Sequence, residues 1–232
     1  MMESLFSRIV AHGRAGNAQR IGALAAYRTL IVMMFCLLLA LLIGMWFVRA
    51  SAPVDLAQGR NMRNADIYNR WAKGELVVLV RHAERCDHST NPCLDVSDGI
   101  TRKGQAAAIE LGNAYRQLGL EKADIFSSPL ARTRQTSTYA FNHASTSEDW
   151  LVNCRHTLLQ DVLRHKADQR NLILVTHSEC IDQLERALQV SSRTLLDYGS
   201  SLFVAIDPKD HSAHVLGFLD APDWKAILAK RP

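Results

Sequence analysis

Short apolar runs alternate along most of the chain with segments in which apolar residues recur every three or four positions. Leu76 to Val80 and Leu172 to Val175 are β-branched runs of strand length, each ending abruptly at a polar pair. Further strands are expected at Asp124 to Ser127, Leu202 to Ile206 and His214 to Phe218. Between them, Ala107, Leu111, Tyr115 and Leu118 predict a helix that Thr101 can cap and Gly119 can end. Ser128-Pro129 opens a second helix. Leu158, Leu159, Val162 and Leu163 mark a third from Thr157 to His165, and a fourth runs from about Glu179 to Leu188. Strands alternating with helices predict an α/β fold: three layers, α/β/α, around a mostly parallel central sheet.

The segment from Leu30 to Val48, LIVMMFCLLLALLIGMWFV, breaks this alternation because it carries no charge. As a helix it would cover roughly 28 Å at ~1.5 Å per residue, enough to cross a bilayer. Arg8, Arg14, Arg20 and Arg28 precede it against Glu3 alone, a bias that keeps residues 1–29 as a basic cytoplasmic tail and exports the chain beyond the span. Ala50-Ser51-Ala52 resembles a cleavage site, but the apolar run exceeds a usual signal core and Arg49 intrudes, so an uncleaved anchor at 30–48 is expected. Residues 49–66 read as a polar linker, and a single folded domain, 67–232, should begin near Ile67.

Composition adds one exclusion. The net charge of +4 over 232 residues resides mostly in that tail, which leaves the folded part nearly neutral. A basic face for nucleic acid is therefore not expected.

In parallel sheets, ligands bind beyond the carboxyl ends of the strands. Three such ends here carry Arg81-His82, Ser127-Ser128 followed by Arg132, and His177, so two histidines and two arginines can converge. Guanidinium forks match phosphate oxygens, and neighbouring cations disfavour protonation of an imidazole, which must be neutral to attack phosphorus. Such chemistry calls for no metal and no other cofactor. A serine hydrolase has little support, since no G-x-S-x-G elbow is present.

Four separated motifs then carry a resemblance: Arg81-His82-Ala83-Glu84 after a strand, Thr101-Arg102-Lys103-Gly104-Gln105 at a helix start, the run from Ser127 to Thr136 (SSPLARTRQT), and Val175-Thr176-His177. Together they resemble the histidine phosphatase superfamily. The run from Arg81 to Leu94 (RHAERCDHSTNPCL), ELGNA from Glu110 to Ala114 and the cysteine after His177 resemble its lipopolysaccharide core heptose(II)-phosphate phosphatase branch. The resemblance implies a three-layer mutase-like fold and a transient phosphohistidine at His82. Arg81 and Arg132 would bind phosphoryl oxygens, with His177 completing the pocket. It further implies a phosphorylated glycan or glycolipid as substrate. With the anchor, it places the domain in the periplasm, tethered to the inner membrane.

The sequence departs from the family at the proton donor. Mutase-like members carry a glutamate where Cys154 stands, and acid-phosphatase-like members an acid where Ser178 stands. Glu179, Glu84 and Asp87 are the candidates, with Glu179 preferred. That departure leaves an alternative: a catalytically idle, membrane-anchored module that binds phosphate groups.

Four cysteines, Cys86, Cys93, Cys154 and Cys180, fall in the exported part, and an even number suits an oxidising compartment. Of three pairings, Cys86–Cys93 with Cys154–Cys180 is favoured, because the first two share one loop. A zinc site from Cys86, His88 and Cys93 is the rival reading; it lacks a fourth ligand.

Overall fold

The computed structural model describes residues 27–28, 30–41, 52–142, 145–190 and 196–231. The chain divides into two units, Met1–Arg49 and Ala50–Pro232. In the first, residues 30–41 are helical with large apolar side chains exposed. Among the described residues no helix is long and apolar enough to cross a membrane. The remainder of the expected span, 42–48, and residues 1–26 of the expected tail lie outside the described residues, as does the Ser51 of the A-x-A sequence.

The second unit is built on a six-stranded sheet of order β3-β2-β4-β1-β5-β6. Its strands are β1 (Leu76–Arg81), β2 (Ala123–Ser127), β3 (Thr146–Ser147), β4 (Asn171–Thr176), β5 (Ser201–Ile206) and β6 (Ala213–Leu219). The sheet is mixed: three of its five pairings are parallel, in line with a mostly parallel sheet, and two are antiparallel, which was not foreseen. β3, β2, β4 and β1 run parallel, whereas β5 and β6 pair antiparallel to β1 and to each other. An apolar run reveals burial and not direction, so this half of the topology was invisible in the sequence. β3 was missed altogether, because its two residues are exposed and polar.

Alternation along the central strands sends successive side chains to opposite faces. Val78, Val80, Ile173, Val175 and Phe203 enter one core; Val77, Leu79, Leu172, Leu174 and Leu202 enter the other. The first core is covered by α2 (Ile67–Lys73), α3 (Arg102–Leu118), α4 (Ala131–Phe141) and α7 (Trp224–Leu228), after a short α1 (Asn61–Asn64). The second is covered by α5 (Leu158–His165) and α6 (Ser178–Ala187). The three layers expected are thus present. α3 and α4 approach so closely at Gly112 that a Cβ there would lie 2.0 Å from the Ala140 carbonyl oxygen, which requires glycine.

The folded unit starts earlier than Ile67. Leu56 is buried, its N–H donates to the Phe218 carbonyl at 2.9 Å, and the Phe218 N–H donates to the Val54 carbonyl. The free edge of β6 thereby gains a partner. Two isolated apolar anchors, Leu56 and Met62, in a polar stretch have no period to announce them.

At the opposite end of β1 and β4 sits a buried amide. Asn171 Oδ1 accepts from the Leu76 N–H at 3.1 Å and its Nδ2 donates to the Trp71 carbonyl at 2.9 Å. It fills backbone valences where α2 hands over to β1.

Candidate active site

The parallel register pairs Arg81 with Thr176 and Ser127 with Val175, so β1, β2 and β4 end at one level. The next residues along each strand are tied to the same rung: the His82 N–H donates to the Thr176 carbonyl and the Ser128 N–H to the Val175 carbonyl, both at 3.0 Å. His82 and His177 therefore face each other, both buried, with ring centroids 5.4 Å apart and edge-on.

Each ring is held by one nitrogen. His82 Nδ1 lies 2.8 Å from its neighbour's carbonyl oxygen, on Ala83. A carbonyl only accepts, so Nδ1 carries the proton and Nε2 keeps its lone pair. His177 Nε2 lies 2.9 Å from the Ser128 hydroxyl, while its Nδ1 is buried without a partner among the described residues. Burial pushes His82 down to about 3; the Ala83 hydrogen bond opposes this, and His177, Arg132 and Arg81 reinforce it. Burial, aided by Arg132 and Arg85 and opposed by Glu179, pushes His177 down to about 4. Both rings are uncharged at neutral pH.

Arg81 is clamped from two sides. Its Nη1 donates to the Leu196 carbonyl, and its guanidinium carbon stands 4.2 Å over the Tyr198 ring. That ring is in turn 5.6 Å from His82. Gly199, next in the chain, donates to the Arg81 carbonyl at 3.1 Å. The Nε of Arg81 is buried and has no partner among the described residues, and the same holds for Nε of Arg132 in the first turn of α4. Burial, with Arg85 beside it, lowers the Arg132 pKa, whereas Glu179, Asp87 and Asp98 oppose the shift. Arg132 remains charged all the same.

Of the three candidate acids, two are engaged. Glu84 accepts from Thr101 Oγ1 at 2.7 Å, Ser89 Oγ at 3.0 Å and Asn91 Nδ2 at 3.1 Å. Burial raises its pKa, but these hydrogen bonds outweigh it and hold the carboxyl below the ordinary range. Asp87 is paired with Arg85 through two hydrogen bonds. Glu179, exposed in the first turn of α6, accepts weakly from Ser178 Oγ at 3.3 Å. Burial raises its pKa, yet its own backbone N–H, His177, Ser178 and Arg132 bring it below the usual value.

Both expected disulfides are present, Cys86–Cys93 and Cys154–Cys180. The first occupies the sulfurs that the rival zinc site would need. The second removes Cys154 from acid–base chemistry. Thr101 joins the stapled loop to α3: its Oγ1 donates to Glu84 and accepts from the Gly104 N–H at 2.9 Å. Gln135 and Thr136 of α4 accept from the N–H groups of Ile100 and Ala83.

Sequence reasoning assigned no role to Arg85, Ser128, Thr136 or Tyr198. Ser128 and Thr136 stood inside a quoted motif, and Arg85 sits three residues after His82. Tyr198 had no signal, since it reaches His82 only through the return of the chain into β5.

Residues 77–150 match the model of the histidine phosphatase superfamily, branch 1. The lipopolysaccharide core heptose(II)-phosphate phosphatase of Escherichia coli (strain K12 / DH10B) is 38% identical over 114 residues, 48% of this chain and 56% of that protein. The protein of the same name from Escherichia coli (strain SE11) gives the same values. The chain thus spans little more than half the length of the curated relatives it matches. Among solved structures, a protein histidine phosphatase SixA complexed with tungstate aligns with a TM-score of 0.49 at 11% identity, covering 64% of this chain and 98% of that one. A phosphoglycerate mutase from Bacillus anthracis str. Sterne aligns with a TM-score of 0.48 at 12% identity, covering 66% and 97%.

Proposed function

We propose that this domain, recognisable over residues 77–150 as a histidine phosphatase superfamily sequence, hydrolyses a phosphomonoester through a transient phosphohistidine on Nε2 of His82. One observation carries the reading. Three buried nitrogens without partners among the described residues, on Arg81, Arg132 and His177, belong to groups whose fields act on a neutral imidazole with a free lone pair. Buried donors left unpaired by the protein are costly, and a phosphoryl group would satisfy them.

In this reading Nε2 attacks phosphorus in line while the two guanidinium groups and His177 stabilise the equatorial oxygens. The ester oxygen departs with a proton, for which Glu179 is the available carboxyl; a bound phosphoryl dianion would raise its pKa toward that role. Water, giving its proton to the Glu179 carboxylate, then attacks phosphorus, breaks the N–P bond, releases inorganic phosphate and returns neutral His82. The substrate we favour is a sugar phosphate of the lipopolysaccharide core, on the strength of the relatives' name. Tethering by residues 30–48 with the domain on the periplasmic side of the inner membrane accords with the arginine bias and with two disulfides.

The experiment is rapid acid quenching of the full chain turning over a phosphomonoester, with peptide mass analysis. A phosphorylated peptide containing His82 is expected, and His82→Ala should abolish both it and turnover, a loss on the order of 10⁴-fold or more. Brisk turnover in His82→Ala would overturn the mechanism. Phosphate binding without turnover in the wild type would instead identify the idle phosphate-binding module.

A further inference from the structure

Ser128 is wholly buried and its position is over-determined. Its N–H donates to the Val175 carbonyl, and its carbonyl accepts from Ser127 Oγ at 3.0 Å and Thr133 Oγ1 at 2.9 Å. Its hydroxyl oxygen has two contacts among the described residues: the Leu130 N–H at 3.4 Å and Nε2 of His177 at 2.9 Å. The Leu130 N–H can only donate, so the hydroxyl proton has a single acceptor within reach, which is His177 Nε2.

We infer that Ser128 is a positioning residue that donates to His177 Nε2, locks that ring as its Nδ1–H tautomer, and so makes Nδ1 a donor to the bound phosphoryl group. The opposite tautomer would bury a hydroxyl proton with no acceptor and turn a bare lone pair toward an anion; both are unfavourable. The two histidines are thereby set to opposite tasks by the same tautomer. In His82 the Ala83 carbonyl consumes Nδ1–H and leaves the lone pair on Nε2 for attack. In His177 the serine consumes the Nε2 lone pair and leaves the proton on Nδ1, the nitrogen that is buried without a partner among the described residues. The assignment of Nδ1 to the phosphoryl group rests on the function proposed above; the tautomer itself does not.

The test is a two-bond proton–nitrogen NMR correlation on the full chain labelled with ¹⁵N-histidine, with and without inorganic phosphate. Nine histidines contribute, and His177→Asn identifies the relevant signals by their loss. A pyrrole-type Nδ1 and a pyridine-type Nε2 are expected for His177, with the Nδ1 signal shifting on phosphate addition. Ser128→Ala should give mixed tautomers and weaken phosphate binding by roughly tenfold, with Ser128→Thr restoring the wild-type tautomer. An Nε2–H tautomer in the wild type would overturn the inference without reference to any variant. So would a Ser128→Ala variant with unchanged tautomer and phosphate affinity. Failure to trap phosphohistidine while the Nδ1–H tautomer is observed would count against the proposed function alone.

Discussion

The floor of the site and its rim are built on different principles. Arg81, His82, Ser128 and His177 issue from the ends of three paired strands, of which β1 and β4 are almost entirely buried and β2 partly so, and backbone hydrogen bonds fix their levels. The rim, residues 84–101, has little apolar content to bury. It is held by one disulfide, by the hydrogen bonds of Ser89, Asn91 and Thr101 to Glu84, and by paired bridges between Arg85 and Ile100 and between Cys93 and Thr101. The lesson is a division of labour. Parts that must stay in place for bond making derive their precision from the sheet, where a shift costs a whole ladder of contacts. The stapled polar loop can change residue by residue without disturbing the core, which on the proposed function suits it to meet the variable end of a substrate.

This contrast sets the order of expected effects. Arg132→Ala, which removes a charged donor from the floor, should lower kcat/KM by 10²–10³-fold with the fold retained, checked by steady-state kinetics beside a thermal melt. A loss under tenfold would mean that Arg132 does not meet the phosphoryl group. Glu179→Gln, at the boundary between floor and rim, should slow hydrolysis of an alkyl or sugar phosphate by about 10²-fold and of a nitrophenyl ester far less. Its better leaving group needs no proton, so equal losses on both substrates would assign Glu179 to binding. Replacing Cys86 and Cys93 together by serine should cost about 2.5 kcal/mol of stability on the chain-entropy argument, read by urea unfolding. In kinetics it should raise KM severalfold and leave kcat nearly unchanged. A fall in kcat as large as that of Arg132→Ala would erase the distinction between rim and floor.

The floor was legible in the sequence for the reason that it is precise. β1 and β4 are buried on both faces, so each reads as an unbroken apolar run, and the polar pair that ends it is conspicuous. The helices were legible through their stripes, and Thr101 through the cap that it provides. Tyr198 and Ser128 were not. Ser128 meets His177 across 49 positions, and Tyr198 meets His82 across a longer return of the chain; neither contact has a local period. The start of the folded unit was misplaced for a similar reason: Leu56 is secured by an edge strand 162 residues further along, at Phe218. Direction within the sheet was hidden because hydrophobic runs are the same read up or down.

Asn171, far from any chemistry, gives the strands a detent. Sliding β1 past β4 by one residue would preserve most of an aliphatic core, since valine and leucine substitute readily for one another. It would, however, turn every side chain of the moved strand to the opposite face and strand this amide with neither of its backbone mates. The carboxamide at one end of the sheet thus adds its own penalty to any slip that would misalign the two imidazoles at the other, and Asn171→Leu, which leaves the Leu76 N–H and the Trp71 carbonyl buried without these partners, would be felt as a loss of stability.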